Sequence, residues 1–127
     1  MSYLKIIEEI EARRPPAWDL LNGRLISYDQ DRNRVVMEWQ AEERHCHSVK
    51  GHPKGGIVQG GFVAGWLDTA MAHACSARSS FTLRHPTLEL KVSYLAPAHP
   101  NRVYYADAEI VRWGRSIAFL EARLRDE

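Results

Sequence analysis

One stretch limits this chain more than any other. Residues 60–78, GGFVAGWLDTAMAHACSAR, are too long for a buried strand, rich in Ala, and apolar on every side except at Asp68. Such a segment is a helix enclosed by the rest of the fold. At 100° per residue, Gly61, Ala64, Gly65, Asp68, Ala72 and Cys75 share one face, and Phe62, Trp66 and His73 another. The small face predicts close approach of a second backbone. No other helix in the chain suits it, so a symmetric copy of the same helix is the expected partner and the protein is expected to be at least a dimer.

The remaining sequence must supply a layer that surrounds this helix. Residues 3–14 place Tyr3, Ile6, Ile7 and Ile10 at helical spacing, and Pro15-Pro16 stops that helix. Val35, Met37, Trp39 and Ala41 alternate with polar residues as in a half-buried strand, and the turn at 29–34 joins it to a weaker strand near Leu25. Residues 43–56 gather Gly, Pro and His without periodicity and read as a long loop. After the helix come three strand-like stretches, 87–95, 103–112 and 116–125, separated by turn residues at 96–101 and 113–115, which predict an antiparallel meander. The class is α+β, an antiparallel sheet around one long central helix at about 60–78, with a helix before it at about 3–14. At 127 residues and 45% hydrophobic, the chain needs only one core, so residues 1–127 are expected to form one domain. Trp39, Phe62, Trp66, Tyr94 and Phe119 are expected in that core, unless one or two of them line a ligand tunnel.

Composition then removes several functions. With 17 Lys+Arg against 16 Asp+Glu and no basic stripe, no nucleic acid is expected as a partner. Met1–Ile10 carries Lys5, Glu8 and Glu9, so it lacks the apolar core of a signal peptide. The run at 60–72 contains Asp68 and is shorter than the ~20 residues of a membrane span, so no membrane is expected either. Two cysteines do not make a disulfide framework, which predicts a cytoplasmic location.

An ionised carboxylate in an apolar helix costs several kcal/mol unless paired or hydrogen-bonded. Asp68 therefore has either a structural use, an Arg partner or a cap at a kink, or a chemical one as general base or nucleophile in a water-poor cleft. Just before the helix stands Val58-Gln59-Gly60-Gly61. Paired glycines permit close approach of a ligand, and a helix start offers unpaired N–H groups at the positive end of its dipole, as an oxyanion requires. The same residues also read as an ordinary glycine-rich helix start; neither a G-x-x-x-x-G-K-[ST] nor a G-x-G-x-x-G pattern is present. Gly60 and Asp68 are separated by ~12 Å along a helix, whereas donor and attacking group must each lie ~3 Å from one carbonyl. Two antiparallel copies resolve the conflict by bringing the helix start of one subunit to Asp68 of the other.

Gly-Ile-Val-Gln-Gly-Gly (56–61), Leu67-Asp68-Thr69-Ala70, the stretch from Thr87 to Ala98, and Gly114-Arg115-Ser116 together resemble the hotdog-fold acyl-CoA thioesterases of the phenylacetic-acid-degradation type. The resemblance is good over residues 52–127 and weak over 1–51. It implies a hotdog fold, homodimers pairing into homotetramers, and hydrolysis of an acyl-CoA thioester without metal or other cofactor. Position by position, it implies Asp68 as nucleophile or as the base that activates water, the Gly60 N–H as the group polarising the thioester carbonyl, and Gln59 as a residue orienting the thioester. It also implies Thr87 as the hydroxyl that positions water, with Asp68 and Thr87 from one subunit and Gln59 and Gly60 from the other. Gly61 joins them in binding substrate. Many members carry Asn where this chain has Pro53, so the neighbouring His52 substitutes or the contact is absent. Members usually add one more strand after Arg125-Asp126-Glu127, which implies either a shortened chain or a short sheet edge.

Other signals carry less. His45-Cys46-His47 and His52 offer soft and imidazole ligands, but adjacent ligands on a strand point to opposite faces and no established metal spacing is present, so no metal is expected. His73 and His85 read as structural residues and Cys75 as packing. Arg112 and Arg115 at a strand turn suit the CoA phosphates, or equally a solvated turn. Ser116 lacks a G-x-S-x-G elbow. Besides a thioesterase, the same residues admit a non-catalytic acyl-CoA binding or sensing protein, or a hydratase or dehydratase, although no Asp/His acid–base pair is evident.

Overall fold

The computed structural model describes residues 2–126; Met1, Glu127 and the side chain of Tyr3 lie outside the description, and with them the first position of the expected N-terminal stripe. Helix α1, Tyr3–Ala12, is capped by the Ser2 hydroxyl, which accepts from the Lys5 N–H at 3.3 Å. It buries Ile6 and Ile10. It ends two residues before the expected Arg14, because a residue ahead of proline is driven out of the helical region. The proline pair that stops α1 also starts a second helix that the periodicity did not indicate. In α2, Pro16–Leu21, Pro15 is the N-cap and Pro16 takes the first turn, where its missing N–H has no partner to lose. Asn22, at φ 66°, closes α2, and its side-chain amide donates to the Gln40 carbonyl and to Glu42.

The sheet begins with β1, Gly23–Asp29, and β2, Arg34–Ala41, an antiparallel hairpin. Its turn is held by Asp29 Oδ1, which accepts from the N–H groups of Asp31 and Arg32. The loop expected at 43–56 contains more order than its composition suggested: a 3₁₀ turn at Glu43–His45 and two short paired strands, β3, Cys46–Ser48, and β4, Ile57–Val58. The central helix α3 runs Gly60–Arg78, and β5, Arg102–Trp113, and β6, Ala118–Arg125, complete the large sheet in the order β1-β2-β5-β6.

Packing follows the alternation. Val35, Met37, Trp39 and Ala41 of β2 and Ala106 and Ala108 of β5 are fully buried, as are Trp66, Ala70 and Ala74 of α3. Alanines on both sides let helix and sheet approach closely, while Trp39 and Trp66 stack with ring centroids 6.2 Å apart. This is the α+β architecture with an antiparallel sheet against one long central helix.

Three expectations are corrected. Residues 87–95 are extended but belong to neither sheet, and residues 83–97 make no backbone–backbone hydrogen bond among the described residues, so the three-stranded meander reduces to the β5–β6 hairpin. Alternation assigns side chains to faces, but a strand also requires a neighbour in register. Tyr94 and Phe119, expected in the core, are 57% and 53% exposed. The small face of α3 is not reserved wholly for a second copy, since a Cβ at Gly65 would lie 3.1 Å from Leu21 Cδ2 of α2.

Candidate functional site

Asp68 sits midway along α3, half-buried, and no Lys, Arg or His is ion-paired with it among the described residues. Its partner is Thr87, whose hydroxyl donates to Asp68 Oδ1 at 2.7 Å. This meeting, across 19 residues of chain, depends on the reversal that ends α3. Ser80 and Phe81 adopt left-handed φ values of 50° and 63°. The Phe81 N–H bonds back to the Ser76 carbonyl at 2.9 Å, and the Thr82 hydroxyl closes on the Ser79 carbonyl at 2.6 Å. The chain then returns alongside the helix. Neither Ser nor Phe advertises a left-handed turn as Gly or Asn would, so the reversal was not legible.

At the start of α3 the Gln59 side chain is the N-cap: Oε1 accepts from the N–H groups of Gly61 at 2.7 Å and Phe62 at 3.3 Å. The Gly60 N–H has no hydrogen-bond partner among the described residues, whereas the Gly60 carbonyl accepts from the Tyr94 hydroxyl at 2.7 Å. The helix start thus presents one free backbone donor at the positive end of a helix of 19 residues.

This helix start is anchored by two buried histidines: His45, weighed from the sequence only as a metal ligand in a loop, and His99, read only as part of a turn. His45 is 1% exposed; its Nδ1 accepts from the Glu42 N–H and its Nε2 donates to the Leu20 carbonyl, which uses both ring nitrogens. The backbone carbonyl of the same residue accepts from the Gln59 N–H at 2.8 Å. His99 Nδ1 donates to the Gly56 carbonyl at 2.8 Å and its own N–H donates to the Tyr104 hydroxyl. Gly56 needs to be glycine here: its φ is 146°, and a Cβ would lie 2.5 Å from the Ser48 carbonyl oxygen.

The other sequence candidates stand apart. His52 accepts from the Lys54 N–H and its ring lies 5.7 Å from that of His99, without a hydrogen bond to Asp68, Thr87 or Gly60. Arg112 and Arg115 are exposed and make no ion pair among the described residues. No group of three or more His, Cys, Asp or Glu able to hold a metal occurs among the described residues. Burial raises the thiols of Cys46 and Cys75, which disfavours the thiolate a nucleophile requires. Burial likewise lowers His73, against the opposing effect of its hydrogen bond to the Thr69 carbonyl. Two clefts open elsewhere, one of about 500 Å³ between α1 and β1 bounded by Glu11, Arg14, Arg24 and Glu38, the other of about 230 Å³ beside Tyr28 and Arg78. Neither includes Asp68, Thr87 or Gly60.

Comparison with known proteins gives the family and the fold. The model of the thioesterase superfamily matches residues 55–127, so the chain belongs to the thioesterase superfamily. Among solved structures it is similar to a putative thioesterase, a phenylacetic acid degradation-related protein of Ralstonia eutropha JMP134, with a TM-score of 0.78 and 24% identity over 94% of this chain and 87% of that one. Zebra fish thioesterase superfamily member 2 superposes with a TM-score of 0.77 and 19% identity over 100% of this chain and 88% of that one. For the PaaI protein of the E. coli phenylacetic acid degradation operon the values are 0.75 and 18%, over 93% and 78%. At these identities the structures establish the shared hotdog fold. No curated protein matches the chain.

Proposed function

We propose that the chain hydrolyses an acyl- or aryl-CoA thioester to the free acid and CoA, in sites shared between two copies. The observation that carries this reading is the Thr87–Asp68 hydrogen bond at 2.7 Å on a half-buried carboxylate that has no cationic partner among the described residues. A structural aspartate in an apolar helix would hold an arginine or cap backbone amides; this one holds a hydroxyl.

The bond occupies Oδ1 and leaves Oδ2 for chemistry. Thr87, while donating to Asp68, retains lone pairs that accept a proton of a water molecule, and Oδ2 accepts the other. The oxygen of that water attacks the thioester carbonyl as its proton passes to Asp68, and the carbon–sulfur bond then breaks to release CoA thiolate, which takes up the proton. Direct attack by Asp68 is the nucleophilic variant of the same step, with an acyl-aspartate hydrolysed afterwards. The carbonyl oxygen gains negative charge in either case, and the partner's free Gly60 N–H, backed by the dipole of α3, stabilises it. Gln59, Gly61 and His52 bound the thioester, and Arg112 and Arg115 offer guanidinium groups to the CoA phosphates.

The ~12 Å between Gly60 and Asp68 within one helix is the reason for the second copy. Around Asp68 the small face of α3 carries Ala64, Gly65 and Ala72, all partly exposed although Gly65 lies near Leu21, which suits the antiparallel approach of another α3. A homodimer, pairing into a homotetramer, follows as part of the proposal. So does a cytoplasmic setting, in keeping with two free thiols. The test is a free-thiol assay on a panel of aryl-, short- and long-chain acyl-CoA esters. Asp68→Asn is expected to lower turnover by about 10²–10⁴-fold with folding intact; unchanged hydrolysis overturns the mechanism.

A further inference from the structure

Tyr94 enters none of these steps, yet its side chain touches the residue that carries the proposed oxyanion donor. It stands 34 residues along the chain from Gly60, and its hydroxyl reaches the Gly60 carbonyl oxygen at 2.7 Å. The ring lies against the same residue, since a Cβ at Gly60 would come within 3.2 Å of the Tyr94 Cζ and Oη atoms. With no backbone–backbone hydrogen bond over residues 83–97 among the described residues, the returning segment is held beside α3 by Thr87 on Asp68, Tyr94 on Gly60, and Val92 packed against the core. Gly60 and Gly61 open the helix without side chains to restrain them. Gln59 fixes the amides of Gly61 and Phe62 but leaves that of Gly60 unheld. A donor displaced by about 1 Å loses on the order of a hundredfold in rate.

We infer that Tyr94 is a positioning residue for the oxyanion donor. By bonding the Gly60 carbonyl and packing its ring on the glycine, it holds the first turn of α3 so that the Gly60 N–H points outward to the thioester. In the two-fold arrangement, one extended segment serves both sites: Thr87 orients Asp68 of its own subunit, and Tyr94 sets the helix start offered to its twin.

This inference rests on the thioesterase reading, and the experiment separates the two. Tyr94→Phe removes the hydroxyl and keeps the ring; Tyr94→Ala removes both. The full chain is assayed for thiol release from whichever esters the wild type cleaves, and amide exchange at Gly60, Gly61 and Phe62 is followed by NMR. Tyr94→Phe is expected to lower kcat about ten-fold while KM stays within about two-fold, to speed exchange at the three amides, and to leave Tm unchanged. Tyr94→Ala lowers kcat further, and should it fail to fold, Tyr94→Phe alone carries the test. Wild-type kcat and exchange in Tyr94→Phe overturn the inference and leave the thioesterase reading standing. A rise in KM at constant kcat, or a loss of activity that tracks a loss of fold, also overturns it. A wild type that releases thiol from no ester sinks the thioesterase reading first, and the role of Tyr94 with it.

Discussion

Strand β2 and the segment 87–95 carry the same kind of alternation, and the fold treats them in opposite ways. In β2 the residues Val35, Met37, Trp39 and Ala41 are fully buried, and the strand is paired on one edge with β1 and on the other with β5. In the later segment Leu88 is 76% exposed, Leu95 is 94% exposed, and no sheet neighbour lies on either edge among the described residues. Alternation specifies which residues share a face; burial and register come from what lies alongside. The paired region carries the stability of the molecule, and the unpaired one carries a hydroxyl to each end of the proposed chemistry.

That contrast can be broken by measurement. The largest effect belongs to the paired region: Trp66→Ala, which removes the ring stacked on Trp39, is expected to cost about 3–5 kcal/mol in urea unfolding. Leu88→Ala in the exposed segment should stay within about 0.5 kcal/mol. Comparable losses at the two positions would end the distinction. Next comes Thr87→Val, which keeps the shape and deletes the hydroxyl on Asp68; a fall of about ten-fold in kcat at unchanged Tm is expected from losing a hydrogen bond to a charged group. A variant equally active but less stable would make Thr87 a structural tether instead. The smallest effect concerns pH. Burial holds His73 below its ordinary value of 6.5, with its ring edge on Trp18, so the unfolded chain binds this proton more readily than the folded one. Its contribution to stability is therefore lost as pH falls through 6.5 and below, and the decline in Tm from about pH 7.5 to about pH 5.5 should be shallower in His73→Gln. Equal slopes would assign the acid sensitivity elsewhere.

Much of the frame was legible because it rests on local periodicity. The apolar run that forms α3, the alternation of β2, and the turn groups that delimit β5 and β6 each report a pattern that side chains impose on their own backbone. The errors fall where a neighbour decides. Residues 87–95 were read as a paired strand, and Phe119 as core, because hydrophobicity is blind to whether a second surface arrives. Helix α2 was missed because six residues are too few to show a helical period.

For the candidate site, Asp68 was conspicuous as the lone carboxylate of an apolar helix, and Gly60 as part of a glycine pair at its start. Sequence chemistry determined those two positions, and their separation along one helix set the demand for a second copy. Only the tertiary structure decided what each of them touches. The Thr87 hydroxyl reaches Asp68, and the Tyr94 hydroxyl reaches Gly60, because a left-handed reversal at Ser80 and Phe81 sends the chain back along α3. Periodicity is a property of residues a few positions apart. Proximity across 19 or 34 residues is set by how the chain turns between them, and here the turning residues carry no recognisable mark.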